Sequence, residues 1–134
     1  MLYFAYGSNL NIPQMSRRCP EAAGVSAAIL KGWKLHARYY ADIEQAENEC
    51  VYGALYSISD NDLESLDYYE GYPEYYSRQI VTVESVSGKK CEAWVYTMTA
   101  EYKDARNDAP YSESYRQICS EGAKMWNIPD AFGE

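Results

Sequence analysis

The fold is decided at the start of the chain, in Leu2-Tyr3-Phe4-Ala5-Tyr6-Gly7-Ser8-Asn9-Leu10. Leu2 to Tyr6 alternates and is aromatic, so it reads as a strand, because such side chains fill a pleated, half-buried surface. Gly7, Ser8 and Asn9 break it. Beyond them Asn11 suits a helix cap, Pro13 is tolerated in the first turn, and Gln14 stands where a capping-box partner belongs. A glycine at a strand end lets the main chain approach a ligand, and the amides after it point outward unpaired. The helix start adds partial positive charge, which welcomes a carboxylate. Gly-Ser-Asn is also ordinary turn punctuation, so both readings stand at this point.

Outward from that unit, Gly32 opens a second strand with Trp33, Leu35, Ala37 and Tyr39 on one face and Lys34, His36 and Arg38 on the other, solvated one. Asp42 to Glu49 is acidic without a clear period and reads as a loop. Val51 to Ile58 is the clearest strand, and Gly53 inside it marks a bulge or a close backbone approach. Ser59 followed by Asp62 is a capping-box pattern, predicting a short helix from about Asp60 to Tyr69 that Gly71 and Pro73 stop. Tyr76–Val86 and Cys91–Met98 alternate like a hairpin turning at Ser87-Gly88. Glu101 to Pro110 reads as irregular. Ser112 caps a last helix whose Tyr115, Ile118, Cys119, Gly122, Met125 and Trp126 share a face until Pro129 ends it. Strands and helices without regular alternation indicate the α+β class.

At 134 residues the chain is one domain's worth, spanning 1–134. That length buries roughly two thirds of the unfolded surface without needing a disulfide or metal. The net charge of −8 gives nucleic acid and anionic lipid no attractive field, so neither is an expected partner. No apolar run suits a secretion signal or a membrane span. Cys19, Cys50, Cys91 and Cys119 form no CxxC pair, which argues against a thiolate zinc site. They read as free, mostly buried thiols of a cytoplasmic protein. Fifteen tyrosines supply apolar area with hydrogen-bonding tips, suited to a pocket wall or an interface as well as a core.

Most familiar catalytic machinery is missing: no Walker loop, no GxGxxG, no HExxH. A triad would need His36, the one histidine, which sits on the solvated face with no acidic orienter nearby in sequence. Chemistry by carboxylate and backbone remains. Glu70 is the candidate carboxylate. It lies in the last turn of its predicted helix, where the macrodipole disfavours negative charge, with Glu64 and Asp67 behind it. Tyr68, Tyr69, Tyr72, Tyr75 and Tyr76 surround it in sequence, and an aromatic wall raises a carboxyl's pKa toward that of a proton shuttle. A frayed surface glutamate is the plainer alternative.

LYFAYGSNL, VYGALY (Val51–Tyr56), LxSLDxxEG (Leu63–Gly71) and YxxICxxGAK (Tyr115–Lys124) are together similar to the γ-glutamylcyclotransferase (AIG2-like) family, from Leu2 to about Pro129. The resemblance implies a small mixed β-barrel of about five to seven strands with flanking helices. It implies an enzyme that cuts γ-glutamyl amides into 5-oxoproline and a free amine, with no metal and no cofactor. Glu70 takes the proton-shuttle role, and Tyr3, Phe4, Ala5, Tyr6, Gly7 and Ser8 form the substrate loop. Tyr76 and Tyr115 match family tyrosines at the substrate, although Tyr75 is close in register to Tyr76, and Tyr115 also opens the apolar stripe of its helix. A small γ-glutamyl molecule is the implied partner, and a homodimer is compatible with the family. One departure concerns Tyr39-Tyr40, which stand where the best-known animal members carry glycines, in a segment that borders the pocket. A tyrosine-lined wall there puts the leaving-group side in question: γ-glutamyl amino acids are the main expectation, with γ-glutamyl amines or a non-catalytic metabolite-binding module as alternatives.

Overall fold

A computed structural model describes residues 1–133. Five strands close into a barrel: β1 (Leu2–Ala5), β2 (Ala23–Arg38), β3 (Tyr40–Ser57), β4 (Tyr76–Ser85) and β5 (Lys90–Met98). They neighbour one another in the order β1-β3-β2-β4-β5, and β5 returns to β1. Every pairing is antiparallel except β1 with β5, which is parallel through Tyr3 and Trp94. Closure joins the first strand to the last, while the outer part of the β2–β3 hairpin, from Lys31 to Cys50, extends beyond the strands that pair with β1 and β4. The flanking helices are α1 (Ile12–Arg18), α2 (Asp60–Glu70), α3 (Ala100–Asp104) and α4 (Glu113–Met125), with a 3-10 turn at Ser8–Leu10. The α+β barrel implied by the resemblance is therefore the observed architecture. Among the described residues no helix is long and apolar enough to cross a membrane.

Local signals account for most boundaries. The Asn11 side chain accepts from the Gln14 amide at 3.4 Å and opens α1, as its cap position requires. Ser59 and Asp62 form a reciprocal capping box on α2, at 3.1 Å in each direction. Left-handed Gly71, at φ 68°, ends that helix. Val51–Ser57 pairs with both β1 and β2 and is the barrel's central staple. A Cβ on Gly53 would strike the Ala5 carbonyl and the Phe4 ring, so the glycine marks a close approach of β1. Phe4, Leu30, Leu55, Val83 and Val95 are buried in the core, and Leu66 of α2 is buried with them.

Four expectations need correction. Asp42–Glu49 is not a loop: β2 and β3 form one long hairpin, with Asp42 paired opposite His36 and Gln45 opposite Trp33. The register then shifts around Gly32, between Lys31 and Trp33. A long bulge with acidic side chains outside explains why no period shows. Nor is the Lys34-His36-Arg38 face simply solvated. Arg38 is only 4% exposed, and it donates to Asp42 at 3.3 Å and to Glu44 at 2.8 Å. His36 lies between Glu44 and Asp108, 2.6 Å from each, so acidic partners exist but come from across the hairpin and from the segment before α4. The irregular Glu101–Pro110 stretch likewise contributes most of the short helix α3. All four cysteines are free, but only Cys19 and Cys119 are buried; Cys50 is exposed.

Candidate active site

The barrel's helical end carries a cavity of about 590 Å³, within the size range of small-molecule sites. β1 and the turn after it supply Tyr3, Tyr6, Gly7, Ser8 and Asn9 to its lining, and α2 supplies Glu70. Tyr75 enters from the turn before β4, Tyr76 from its first position, and Tyr115 from the first turn of α4. Residues far apart in sequence therefore meet on one surface. Phe4 and Ala5 do not line it; both are fully buried. Of the two neighbouring tyrosines, Tyr76 is the buried one and Tyr75 stays 50% exposed at the rim.

The turn is held in place by its side chains. Asn9 is buried and donates from Nδ2 to the Tyr3 hydroxyl at 3.0 Å, while its carbonyl accepts from the Tyr56 hydroxyl at 2.8 Å. The first amides of the 3-10 turn have no partner within it and stand at the cavity wall. A Cβ at Gly7 would lie 3.0 Å from the Tyr115 hydroxyl and 3.2 Å from the Ala41 methyl. A larger residue there would push the turn off its support and fill the floor. Ala41 is itself clasped: its amide donates to the Tyr115 hydroxyl and its carbonyl accepts from the Tyr76 hydroxyl, both at 3.0 Å. Tyr115 thus both packs against Ala41 and lines the cavity. Burial pushes the hydroxyl pKa values of Tyr3, Tyr6, Tyr76 and Tyr115 well up, so the phenols of the floor stay neutral.

Glu70 is the one acidic side chain in the lining, and it is partly buried. Among the described residues nothing donates a hydrogen bond to its carboxylate, and no cation forms an ion pair with it. Burial raises its pKa from the ordinary glutamate value to about 7, and the nearby Arg18 charge opposes that rise only partly. The direction of the shift and its cause, exclusion of water, are those the aromatic wall predicts; crowding at the helix end is not what sets it. Asp67 is neutralised by Arg78, at 2.8 Å and 3.1 Å, so desolvation governs Glu70. A carboxyl poised near neutrality accepts and returns a proton with little cost in either direction.

Gln14, Arg18, Asn9, Tyr96 and Tyr102 also line the cavity and were not singled out by sequence reasoning. The spacing of Gln14 and Arg18, one turn apart on α1, was the available signal; the others depend on tertiary contacts. Tyr39 and Tyr40 do border the cavity, with Tyr39 in a left-handed conformation at φ 67°. Among the described residues no group of three His, Cys, Asp or Glu side chains is placed to hold a metal ion.

Fold and cavity together define a class: a small mixed barrel whose cavity sets one carboxyl, its pKa raised by burial, against a glycine turn. The family model described as γ-glutamyl cyclotransferase, AIG2-like, matches residues 3–117. The chain belongs to that family. It is 33% identical to the γ-glutamylcyclotransferase of Homo sapiens over 147 aligned positions, covering 99% of this chain and 75% of the relative. A γ-glutamylaminecyclotransferase B of Danio rerio is 36% identical over 78 positions, covering 55% of this chain and 40% of that one. A solved γ-glutamyl cyclotransferase structure superposes with a TM-score of 0.87 at 31% identity, covering 96% of this chain and 81% of that chain.

Proposed function

We propose that the protein is a γ-glutamylcyclotransferase that converts γ-glutamyl amino acids to 5-oxoproline and the free amino acid, with Glu70 carrying the proton. The observation that supports this most directly is the partly buried Glu70 carboxyl, with its pKa near 7, lining the same cavity as Gly7 and Ser8.

The substrate brings its own nucleophile. Its α-ammonium gives a proton to Glu70, and the freed amine attacks the γ-carbonyl to close a five-membered ring. The tetrahedral intermediate collapses with cleavage of the amide C–N bond, while Glu70 returns the proton to the departing nitrogen; the ring nitrogen then gives up the second proton it brought into the attack, and that proton ends on the released amine as its ammonium. Glu70 thereby regains its starting charge. Enforced intramolecular attack reaches effective molarities of about 10⁵–10⁸ M, so folding the substrate correctly is the main task of the walls. The Gly7 and Ser8 amides are the donors for the glutamyl α-carboxylate or for the oxyanion of the intermediate. Tyr3, Tyr6, Tyr76 and Tyr115 shape the floor and exclude water. The free, exposed Cys50 and the absence of any disulfide among the described residues accord with a reducing, cytoplasmic setting.

The test is release of 5-oxoproline from γ-glutamyl-alanine, γ-glutamyl-methylamine and glutathione by the native protein and by Glu70→Gln. Product from γ-glutamyl-alanine that vanishes in a folded Glu70→Gln variant supports the reading. Ligand-induced stabilisation without product from any substrate would replace the enzyme with a binding module.

A further inference from the structure

The cavity holds a second set of donors apart from the Gly7–Ser8 turn. Gln14 and Arg18 stand one helical turn apart on α1, share its face and both line the cavity. The Gln14 Nε2 is enclosed by protein and, among the described residues, finds no acceptor. Gln14 lines the cavity, so a ligand oxygen at that wall would complete this donor once the side-chain amide turns toward it. Arg18 uses Nη1 to donate to Asn9 Oδ1 at 3.0 Å, and its guanidinium lies over the Tyr69 ring at 4.7 Å. Asn9 and Tyr69 fix the cation without neutralising it. Arg18 is also the one lysine or arginine in the cavity lining.

We infer that Gln14 and Arg18 bind the carboxylate of the leaving amino acid and so make the enzyme prefer γ-glutamyl amino acids to γ-glutamyl amines. The inference rests on the γ-glutamyl reading above. Position assigns this carboxylate rather than that of the glutamyl group. The glutamyl part is common to every substrate and belongs at the enclosed floor, among Gly7, Tyr76 and Tyr115. The leaving group varies and must depart, so it belongs toward the mouth, where Tyr69 is 52% exposed beneath Arg18. Glu70 must reach the departing nitrogen, which is separated from its own carboxylate by a single carbon. The Arg18 charge acts on Glu70, as that proximity requires. A planar guanidinium with an amide donor beside it suits a carboxylate better than an alkyl amine.

The experiment compares kcat/KM for γ-glutamyl-alanine, γ-glutamyl-alaninamide, and γ-glutamyl-alanine whose glutamyl α-carboxylate is amidated. Native protein, Arg18→Gln, Arg18→Lys and Gln14→Leu are compared, each checked for folding by its unfolding midpoint. The native protein should favour γ-glutamyl-alanine over the alaninamide by about 10–100-fold, the usual worth of a charge-assisted contact. Arg18→Gln should bring that ratio to within about threefold, Gln14→Leu should lower it less, and Arg18→Lys should keep part of it. Glu70 serves both substrates alike, so the ratio cancels any change in its protonation. An equal loss on all three substrates would overturn the inference and leave Arg18 as support for Asn9. Discrimination lost only against the glutamyl α-amide would overturn it too, by giving these donors to the other carboxylate. A ratio unmoved by Arg18→Gln defeats the inference alone, whereas no 5-oxoproline from any substrate defeats the γ-glutamyl reading and the inference with it.

Discussion

Asp67 and Glu70 stand less than one turn apart on α2, yet they face opposite surroundings. Asp67 accepts two hydrogen bonds from Arg78, and the Tyr96 hydroxyl donates to its Oδ1 at 2.7 Å. Arg78 in turn lies over the Trp94 ring at 4.5 Å and the Tyr72 ring at 4.6 Å. That carboxylate joins α2 to β4 and β5. Glu70 has desolvation without such partners, and its proton affinity rises accordingly. The difference teaches how one helix holds two carboxylates in opposite states: one is satisfied by protein, and the other is desolvated without a protein partner, the state that the proposed proton transfer requires.

The strongest way to break this contrast is Glu70→Gln. Loss of the proton shuttle should lower kcat by about 10²–10⁴-fold in a protein that remains folded. In the native protein kcat/KM should change with pH through an inflection near 7, which the variant should lack. Retained turnover with the same inflection would assign the proton transfer to another group.

The same variant should gain stability. Glu70 binds its proton more tightly when folded than when unfolded, so the native protein loses stability as pH rises from the ordinary glutamate value to about 7. Glutamine removes that loss. The two proteins should unfold alike below about pH 4 and differ by about 3 kcal/mol, in favour of Glu70→Gln, above pH 7. Denaturant unfolding at pH 4 and pH 8 checks the sign. Asp67→Asn should move the other way: removing the charge that Arg78 and Tyr96 face should cost about 2 kcal/mol at pH 8. If both substitutions destabilise, Glu70 has a protein partner and the contrast fails.

Sequence reasoning reached the parts of this arrangement that local chemistry writes. Asn11, Ser59, Asp62 and Gly71 announce helix ends because capping involves neighbours a few residues apart. β1, the Tyr76–Met98 hairpin and α4 follow from period. The pairing of Asp67 with Arg78 is not legible in sequence, since it joins two elements whose facing surfaces no periodicity reveals; without it Asp67 reads as a charge that opposes ionisation of Glu70. The burial of Arg38 and Asp42 was hidden for the same reason. The two pair across the β2–β3 hairpin, and Asp42 also accepts from the Met98 amide at 2.9 Å. Motif and chemistry single out Glu70 and the Gly7–Ser8 turn, and the structure brings them to one cavity. Gln14 and Arg18 required the placement of α1 beside the cavity.

The smallest and sharpest test is Tyr96→Phe, because Tyr96 touches both regions. Its ring lines the cavity while its hydroxyl donates to Asp67, so phenylalanine keeps the wall and removes one hydrogen bond. Asp67 retains both contacts to Arg78, so the loss should be about 1 kcal/mol, read as a small fall in the unfolding midpoint. Tyr96 is only 2% exposed, and burial with the Asp67 bond pushes its pKa well up, so the hydroxyl is a neutral donor already committed to the structural carboxylate. The rate should therefore stay within about threefold of native, with its inflection still near 7. A collapse of kcat at nearly unchanged stability would mean that this hydroxyl turns to the substrate during turnover. Asp67 would then be the group that steers it, and the two carboxylates would belong to one machine rather than two.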